Sequence, residues 1–251
     1  MIVLKSLREI ETLREAGRIA RLALDAARVL VKAGISTADL DAEVERVVRA
    51  HGATPEFKGY HGYPASSCIS VNDQVVHGIP GPRRLKEGDI VGIDVGARLK
   101  GYVGDNAATI PVGKVKPEAQ RLVDTTRECL ELALEQCVPG RRLSDIGRVV
   151  QAHAEARGYS LVRDYAGHGI GTKMHEDPQV PNYVDAATLK RDLVLKEGLC
   201  IAIEPMLNAG GPDVRVLDDD WTVVTKDGSL SAHWEDAVAV MKDGPLILTR
   251  A

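Results

Sequence analysis

The sequence has little of what marks a secreted, membrane-bound or nucleic-acid-binding protein. Its 251 residues include only four cysteines, none in a Cys-x-x-Cys pair, which disfavours a disulfide scaffold or a zinc knuckle and favours the reduced cytoplasm. No signal-peptide core opens the chain, and no apolar run approaches the ~20 residues of a membrane span. With 32 basic and 36 acidic residues there is no positive excess, so direct binding to nucleic acids or membranes is not expected.

The chain also lacks a proline- or serine-rich linker, so residues 1–251 are predicted to form one domain. Within it the order of patterns repeats, once over about 6–112 and again over about 117–248. The run at 85–94 matches the run at 195–204 with an offset of 110, and each run ends in an acid. Helical and strand patterns alternate with turn signals, which predicts an α+β fold with mostly antiparallel strands in two pseudo-symmetric halves.

Four helices are predicted from apolar residues that recur at three- and four-residue spacing. The first begins at a capping box at Ser6, and the third begins at Pro117, which suits the first turn of a helix. The expected ranges are 6–34, 36–52, 117–138 and 144–158, with Ser144 as the cap of the last. An Asp227-Gly228 turn predicts a hairpin between strands at 221–225 and 231–240.

The acid that ends the first matched run is the start of a candidate site. A buried carboxylate is costly unless it meets a cation. If Lys100-Gly101 is a two-residue hairpin loop, residues whose numbers sum to 201 face each other, and Asp105 lies on the same face as Asp94. Such diagonal neighbours are roughly 7–8 Å apart, a span that metal ions bridge. The spacing therefore predicts that the two acids form one constellation.

The second half supplies the remaining candidate ligands, Glu204, Glu235 and a histidine, His168. Glycines on both sides of His168 should leave its ring accessible and allow close backbone approach. Two divalent ions would neutralise four carboxylates, and an oxygen-rich set with one nitrogen suits Mn, Fe, Co or Zn. Two such ions about 3.5–4 Å apart can activate a water. The alternative is that each acid pairs with a surface arginine or lysine.

The order and local contexts of these five residues resemble the type I methionine aminopeptidases, which have the pita-bread fold. The resemblance covers essentially the whole chain. Its motifs are Ile-Asp-Val-Gly, Gly-Asp-Asn-Ala, Gly-His-Gly-Ile-Gly, Ile-Glu-Pro-Met and Trp-Glu-Asp, with Val-Val-His-Gly-Ile-Pro at 75–80 and His-Glu-Asp-Pro-Gln at 175–179. The type II branch carries a long insertion between His175 and Glu204, which are only 29 positions apart here.

The resemblance implies the role of each site residue. Two divalent metal ions would be the cofactors, and their ligands would be Asp94, Asp105, His168, Glu204 and Glu235. The catalytic residues would be His77, His175 and Glu204, with Glu204 as general base. The substrate-binding residues would be Phe57, Tyr60, Tyr63, Cys68, His77, His175 and Trp221. The remaining histidines, His51, His153 and His233, are interpreted as loop or helix residues with satisfied hydrogen bonds.

Three features depart from the pattern of the family. Met174 stands where an aromatic residue often lines the pocket, and Phe57 stands where a cysteine is frequent. These two changes leave the shape of the pocket open, and the aromatic cluster at 57–63 could instead form a small core under a loop. Asp236-Ala237 follows Glu235 where His-Thr is usual, which is expected to alter the support of the metal ligands.

The implied reaction is removal of the N-terminal methionine from nascent proteins and peptides when the next residue is small, by a water that two metal ions activate. The expected partners are nascent polypeptide N-termini. Contact with the ribosome is left open, and a monomer is expected. Two alternatives remain: another pita-bread metallopeptidase such as a proline-directed aminopeptidase, whose relatives usually carry an extra N-terminal domain, and a non-catalytic binding module of this fold.

Overall fold

The secondary structure consists of five α-helices, one 3-10 turn (Tyr60–Gly62) and fifteen strands over residues 2–250, the part of the chain that our computed structural model describes. Met1 and Ala251, the ends of the domain predicted from the sequence, lie outside the described residues. The helices are α1 (Leu7–Leu30), α2 (Thr37–Ala50), α3 (Pro117–Leu134), α4 (Leu143–Glu155) and α5 (Ala186–Lys190). The strands are β1 (Thr54–Pro55), β2 (Cys68–Val71), β3 (Gln74–Val76), β4 (Ile90–Leu99), β5 (Tyr102–Pro111), β6 (Ser160–Leu161), β7 (Gly167–Gly169), β8 (Glu176–Val180), β9 (Cys200–Ile203), β10 (Met206–Asn208), β11 (Val214–Val216), β12 (Val223–Thr225), β13 (Ser231–His233), β14 (Glu235–Met241) and β15 (Gly244–Ile247).

The helix starts were predicted better than the helix ends. Ser6 forms the capping box of α1 with Glu9, and Pro117 opens α3, as predicted. Helices α1 and α3 end four residues earlier than expected, at Leu30 and Leu134. The predicted cap of α4 at Ser144 is wrong because Arg142 is the N-cap residue there.

The nine-stranded sheet holds most of the strands, and every strand pair in the described residues is antiparallel, as predicted. Its order is β1-β4-β5-β14-β9-β7-β8, with β2 added to β4 and β15 added to β14. Strand β14 therefore joins the β4–β5 hairpin of the first half to β9 and β7 of the second half. Helices α1 and α2 pack on the first half of the sheet, and α3 and α4 pack on the second half.

The two halves share backbone contacts at matching positions. The Gly34 N–H donates to the Leu85 carbonyl at 2.8 Å, and the Gly140 N–H donates to the Leu195 carbonyl at 3.0 Å. Both glycines have a φ of 91°, a left-handed conformation that favours glycine. Each contact ties the loop before a second helix to the turn that opens a strand of the site.

The predicted hairpin at Asp227-Gly228 is wrong. Strand β12 pairs with β11 and β3, whereas β13 pairs with β10 in a different three-stranded sheet. The strand predicted at 231–240 is divided at Trp234 into β13 and β14, which join different sheets. Among the helices of residues 2–250, we find none with the length and apolar character that crossing a membrane requires.

Candidate metal centre

Strand register places three of the acids on one face of the large sheet. The β4–β5 hairpin turns at Lys100-Gly101 and pairs Gly96 with Asp105, so the predicted register is confirmed. In the same ladder Asp94 lies opposite Ala107, and Ala107 also lies opposite Glu235 across β5 and β14. Because residues directly opposite each other share a face, and so do residues two apart, Asp94, Asp105 and Glu235 point to the same side.

The second half brings Glu204 and His168 to that same face. Asp236 pairs with Ile203, so continuing the register by one residue places Glu204 opposite Glu235. His168 pairs with Ala202, two positions before Glu204, across β7 and β9. The five predicted ligands therefore come from five elements but lie in adjacent rows of one surface.

The side chains converge without forming ordinary hydrogen bonds to one another. The Nε2 atom of His168 lies 3.6 Å from Oδ2 of Asp105 and 3.7 Å from Oε1 of Glu204. Ligand atoms of Asp105, His168 and Glu235 all lie within 4.8 Å of one another. In each of Asp94, Asp105 and Glu235, one buried carboxylate oxygen has no hydrogen-bond partner among residues 2–250. Such orphaned oxygens are rare in folded proteins unless a cation satisfies them.

The ring of His168 has the orientation that a metal ligand needs. Its Nδ1 lies 2.9 Å from the Gly169 carbonyl, which can only accept, so Nδ1 carries the proton and Nε2 presents its lone pair to the acids. The flanking glycines allow the close backbone approach that was predicted, since a Cβ at Gly167 would lie 2.4 Å from the Ala202 oxygen. The expected accessibility is wrong: the ring is buried, with 6% exposure, because it faces a cavity rather than bulk solvent.

Burial makes it unfavourable for the four acids to be charged together without a cation. Burial raises the pKa of Glu204 to about 8, with a further contribution from Asp105. Burial and the neighbouring carboxylates also raise the pKa of Asp94 and that of Glu235 well above their usual range. Burial alone would lower the pKa of His168, but Asp105 and Glu204 outweigh it and raise that pKa. The surplus of negative charge calls for cations.

A divalent metal fits this donor set. Within residues 2–250 no lysine or arginine forms an ion pair with any of the four acids, so the alternative of surface salt bridges is wrong. Carboxylate oxygens with an imidazole nitrogen are the donors that borderline divalent ions accept. The orphaned oxygens and the free Nε2 lone pair of His168 supply these donors in one place.

A cavity of about 150 Å³ adjoins the acids, and it contains all the residues predicted to bind substrate. An apolar cavity of roughly this volume holds a molecule the size of benzene. Its lining includes the five candidate ligands and Phe57, Tyr60, Tyr63, Cys68, His77, His175, Trp221, Met174, Tyr165, Val76 and Ala166. The ring of Tyr63 meets that of Trp221 edge-on at 5.0 Å. The aromatic cluster therefore forms the wall of the cavity as well as a packed core.

The two predicted catalytic histidines lie at this cavity in different settings. The hydroxyl of Tyr60 lies 2.7 Å from Nδ1 of His175, whose ring contacts that of His168 with centroids 4.4 Å apart. Partial burial, together with the nearby His168, lowers the pKa of His175, and burial lowers that of His77. Both rings are therefore neutral at pH 7 and can donate one N–H. The backbone of His77 has a φ of 59°, the kind of strained conformation that concentrates at functional sites.

Sequence reasoning missed two residues beside the site. Tyr165 lines the cavity, and its ring meets that of His77 at 5.6 Å; only its place three residues before His168 hinted at this. The interpretation of His233 as a satisfied loop or helix residue is wrong. It is a buried residue of β13 whose Nε2 has no hydrogen-bond partner in the described range 2–250 and lies 3.8 Å from Oε2 of Glu204. The signal was its position two residues before Glu235, which in a strand places both on one face.

The other two histidines interpreted as structural do make ordinary contacts. Nδ1 of His51 lies 2.9 Å from the Val47 carbonyl at the end of α2, and Nε2 of His153 lies 2.8 Å from Glu128.

Asp236, which departs from the pattern of the family, has its own set of hydrogen-bond partners. Its carboxylate accepts hydrogen bonds from Asn106, Thr249 and Arg250 on the face of the sheet opposite the site.

Comparison with known proteins agrees with this geometry. Residues 11–242 match the sequence profile of metallopeptidase family M24. The chain belongs to this family. Methionine aminopeptidase 1 of Bacillus subtilis is 48% identical to it over 250 residues, which cover 100% of both chains. The crystal structure of methionine aminopeptidase from Thermotoga maritima superposes with a TM-score of 0.96 at 42% identity and 100% coverage of both chains.

These similarities confirm the predicted resemblance to the type I methionine aminopeptidases, the pita-bread fold and the assignment as a metallopeptidase. A second solved structure, the prolidase of Pyrococcus furiosus, superposes with a TM-score of 0.79 at 26% identity. That match covers 99% of this chain but 66% of the prolidase. The fold is thus shared with prolidases, while the full length is shared with methionine aminopeptidases.

Proposed function

We propose that the enzyme removes the N-terminal methionine from polypeptides whose second residue is small. The observation that carries this proposal is a single cavity with two kinds of wall. One part consists of the acids and His168, which are suited to divalent metal, and the other is built from apolar and aromatic side chains. Aromatic rings favour contact with a thioether by about 0.3–1.5 kcal/mol. The cavity therefore suits a substrate that carries a reacting carbonyl next to an unbranched, sulfur-containing side chain.

Two divalent ions, Mn, Fe, Co or Zn, are proposed as cofactors, held by Asp94, Asp105, His168, Glu204 and Glu235. When bound, they supply Lewis-acid activation of a water and of the scissile carbonyl. Charge favours two ions over one, since four carboxylates carry four negative charges and His168 adds none when it ligates. The raised pKa values of the acids point in the same direction.

The protein groups then have distinct tasks. Glu204, at the end of β9, accepts the proton of the attacking water as general base. With the Tyr60 hydroxyl donating to Nδ1 of His175, the ring proton lies on Nε2, whose N–H can stabilise the developing oxyanion of the substrate. His77 donates a hydrogen bond to the nitrogen of the departing residue. Both rings must be neutral donors for these roles, which the lowered pKa values favour.

The proposed test is a peptide panel assayed with Mn, Fe, Co and Zn. We expect cleavage of Met-Ala-Ser and little or no cleavage of Met-Lys-Ser, because the second residue should meet a restricted space. Glu204→Ala is the control, and it should abolish turnover and weaken metal binding. Equal rates on the two peptides would contradict the specificity, and full activity of the variant would contradict the role of Glu204.

The two alternative functions predict different experimental results. A proline-directed aminopeptidase would cleave Xaa-Pro peptides in preference to Met-Ala-Ser. The identities disfavour this, since the chain is 48% identical to methionine aminopeptidase 1 of Bacillus subtilis and 26% identical to the Pyrococcus furiosus prolidase. A non-catalytic binding module would take up no divalent metal after mild purification, although all five candidate ligands are present.

The setting of the reaction is also a proposal. Four buried free cysteines are consistent with a reducing cytoplasm, where nascent polypeptide N-termini would be the substrates. We expect a monomer that has no direct contact with membranes or nucleic acids, and ribosome association is the partner hypothesis to be tested. Co-sedimentation with translating ribosomes would test the association, and the molecular mass of the protein in solution would test the monomer.

A further inference from the structure

The carboxylate of Glu204 lies between two imidazole nitrogens, and only one of them belongs to the predicted ligand set. Nε2 of His168 lies 3.7 Å from Oε1 of Glu204, and Nε2 of His233 lies 3.8 Å from Oε2. His168 lines the cavity, whereas His233 is not part of the cavity wall that residues 2–250 form. Each oxygen of Glu204 thus faces a different ring, one on the cavity side and one deeper in the protein.

The Nε2 atom of His233 forms no hydrogen bond with any group of the part of the chain that the structure describes. The residue is 5% exposed, and this nitrogen is buried without a hydrogen bond. Its other near neighbour is Oε2 of Glu235, at 3.9 Å. A buried polar atom without a partner costs about 1–3 kcal/mol, so a nitrogen kept at this place calls for an explanation. The nearest groups that could provide one are the carboxylates of the metal centre.

The backbone of His233 is held firmly on both sides. Its N–H donates to Oγ1 of Thr109 at 2.9 Å, and the same hydroxyl donates to the His233 carbonyl at 2.8 Å. In the β10–β13 ladder, His233 pairs with Met206, which follows Glu204 by two residues. The ring of His233 is therefore held by a strand next to the flexible carboxylate of Glu204. A group that positions another side chain needs such a rigid support.

We propose that His233 is a positioning residue of the metal centre, whose Nε2 N–H donates to Oε2 of Glu204 and keeps Oε1 turned toward the cavity. Closing the 3.8 Å separation to an ordinary hydrogen bond of about 2.9 Å requires a shift of about 0.9 Å in the flexible carboxylate. The inference rests on the proposed metal site. It assigns His233 neither to the ligands nor to the groups that touch substrate.

The test compares two amide variants, His233→Gln and His233→Asn. The glutamine nitrogen is three bonds beyond Cβ, as Nε2 of histidine is, whereas the asparagine nitrogen is only two bonds beyond Cβ. Both variants place an amide at the site, but only glutamine reaches Glu204. Titration with Co²⁺, followed by absorption and calorimetry, should show metal affinity within about threefold of the parent for His233→Gln. For His233→Asn it should fall by about 10–100-fold, the usual cost of losing support to a ligand.

Each outcome either supports or overturns the positioning role of His233. Parent-like affinity in His233→Asn would overturn the proposal, and so would an equal loss in both variants, because that would show a need for the ring itself. His153→Gln serves as the matched control on α4, where the ring contacts Glu128 instead of the site, and it should bind Co²⁺ like the parent. Metal binding by the parent protein tests the proposed function separately, so a failure there is distinguishable from a failure of the role of His233.

A second measurement uses only the parent protein, so it does not depend on whether a variant folds. In zinc-loaded parent protein labelled with ¹⁵N-histidine, long-range ¹H–¹⁵N spectra report which ring nitrogens carry a proton. We expect Nε2 of His233 to be protonated, while Nε2 of His168 has no proton and shifts when zinc binds. An unprotonated, zinc-shifted Nε2 in His233 would make it a ligand and overturn the positioning role.

Discussion

Binding of metal to this site should release protons, and the number follows from the structure. A carboxyl with a pKa of about 8, as burial gives Glu204, is about nine-tenths protonated at pH 7. Burial and the neighbouring carboxylates also raise the pKa values of Asp94 and Glu235 well above their usual range. Carboxylates must ionise to ligate a metal. We therefore expect Glu204 to contribute about one released proton when the site is filled at pH 7.

The assay is calorimetric titration of metal-free protein with Mn²⁺ in several buffers that differ in ionisation enthalpy. The slope of the observed enthalpy against the buffer's ionisation enthalpy gives the number of protons released. Between pH 7 and pH 9 the count should fall by about 0.8, because Glu204 ionises over that range before metal is added. In Glu204→Gln the slope at pH 7 should be smaller by about one proton. A slope near zero at pH 7 in the parent would refute the reasoning.

The same shifts give the sign of the pH dependence of stability. Without metal, the folded protein holds protons on Glu204 between about pH 4.5 and pH 8, where the unfolded chain has lost them. Stability falls as pH rises wherever the folded state binds more protons, so the metal-free protein should weaken across this window. Added metal should therefore raise the melting temperature more at pH 8 than at pH 5.5. An equal increase at both pH values would contradict the raised pKa.

Three substitutions test other parts of the structure. Tyr60→Phe removes the hydroxyl 2.7 Å from Nδ1 of His175, and kcat for Met-Ala-Ser should fall by about tenfold, the worth of one hydrogen bond. Gly104→Ala places a Cβ 2.3 Å from the backbone of α1, so urea titration should show a loss of about 2–3 kcal/mol. Arg250→Ala leaves the buried carboxylate of Asp236 without its cation and should cost about 2 kcal/mol, a value discounted because the arginine side chain is 32% exposed.

Each of these variants has a control that makes the same kind of chemical change. Tyr102→Phe also removes one hydroxyl hydrogen bond, to Glu9, and should leave kcat unchanged. Gly81→Ala adds a methyl group where nothing lies within 4 Å and should be nearly neutral. Adding Asp236→Asn to Arg250→Ala should recover part of the lost stability, since no buried charge remains. Equal effects in a variant and its control would contradict the corresponding contact.

Short-range backbone geometry explains why the shared face of Asp94 and Asp105 could be predicted from the sequence. Lys100 and Gly101 have φ values of 51° and 85°, the left-handed pair that a two-residue hairpin requires. That turn fixes the register of β4 on β5, and with it the shared face of Asp94 and Asp105. The capping box at Ser6 fixed the start of α1 in the same way. Short-range geometry was sufficient in these places.

Contacts distant in sequence explain what could not be predicted. The Asp227-Gly228 turn looks like a hairpin, but Ser231 donates its N–H to the carbonyl of Asn72 instead of pairing back onto β12. His233 was misread for a related reason. Its neighbours Thr109, on β5, and Glu204, just after β9, are distant in sequence, and no local pattern in β13 shows that β10 lies beside it.

The most consequential of these distant contacts is the register of β14, because a slip of one residue would turn Glu235 away from the cavity and turn Asp236 into it. The acid at 236 opposes such a slip. Its carboxylate is bound on the reverse face by Arg250 and Thr249, and it pairs with Asn106, the neighbour of Asp105 on β5. A charge with three partners on one face is strongly held, whereas the charge of Glu235 on the other face has no cation of its own among residues 2–250. Adjacent acids thus divide two tasks: Asp236 fixes the register, and Glu235 remains free to bind metal.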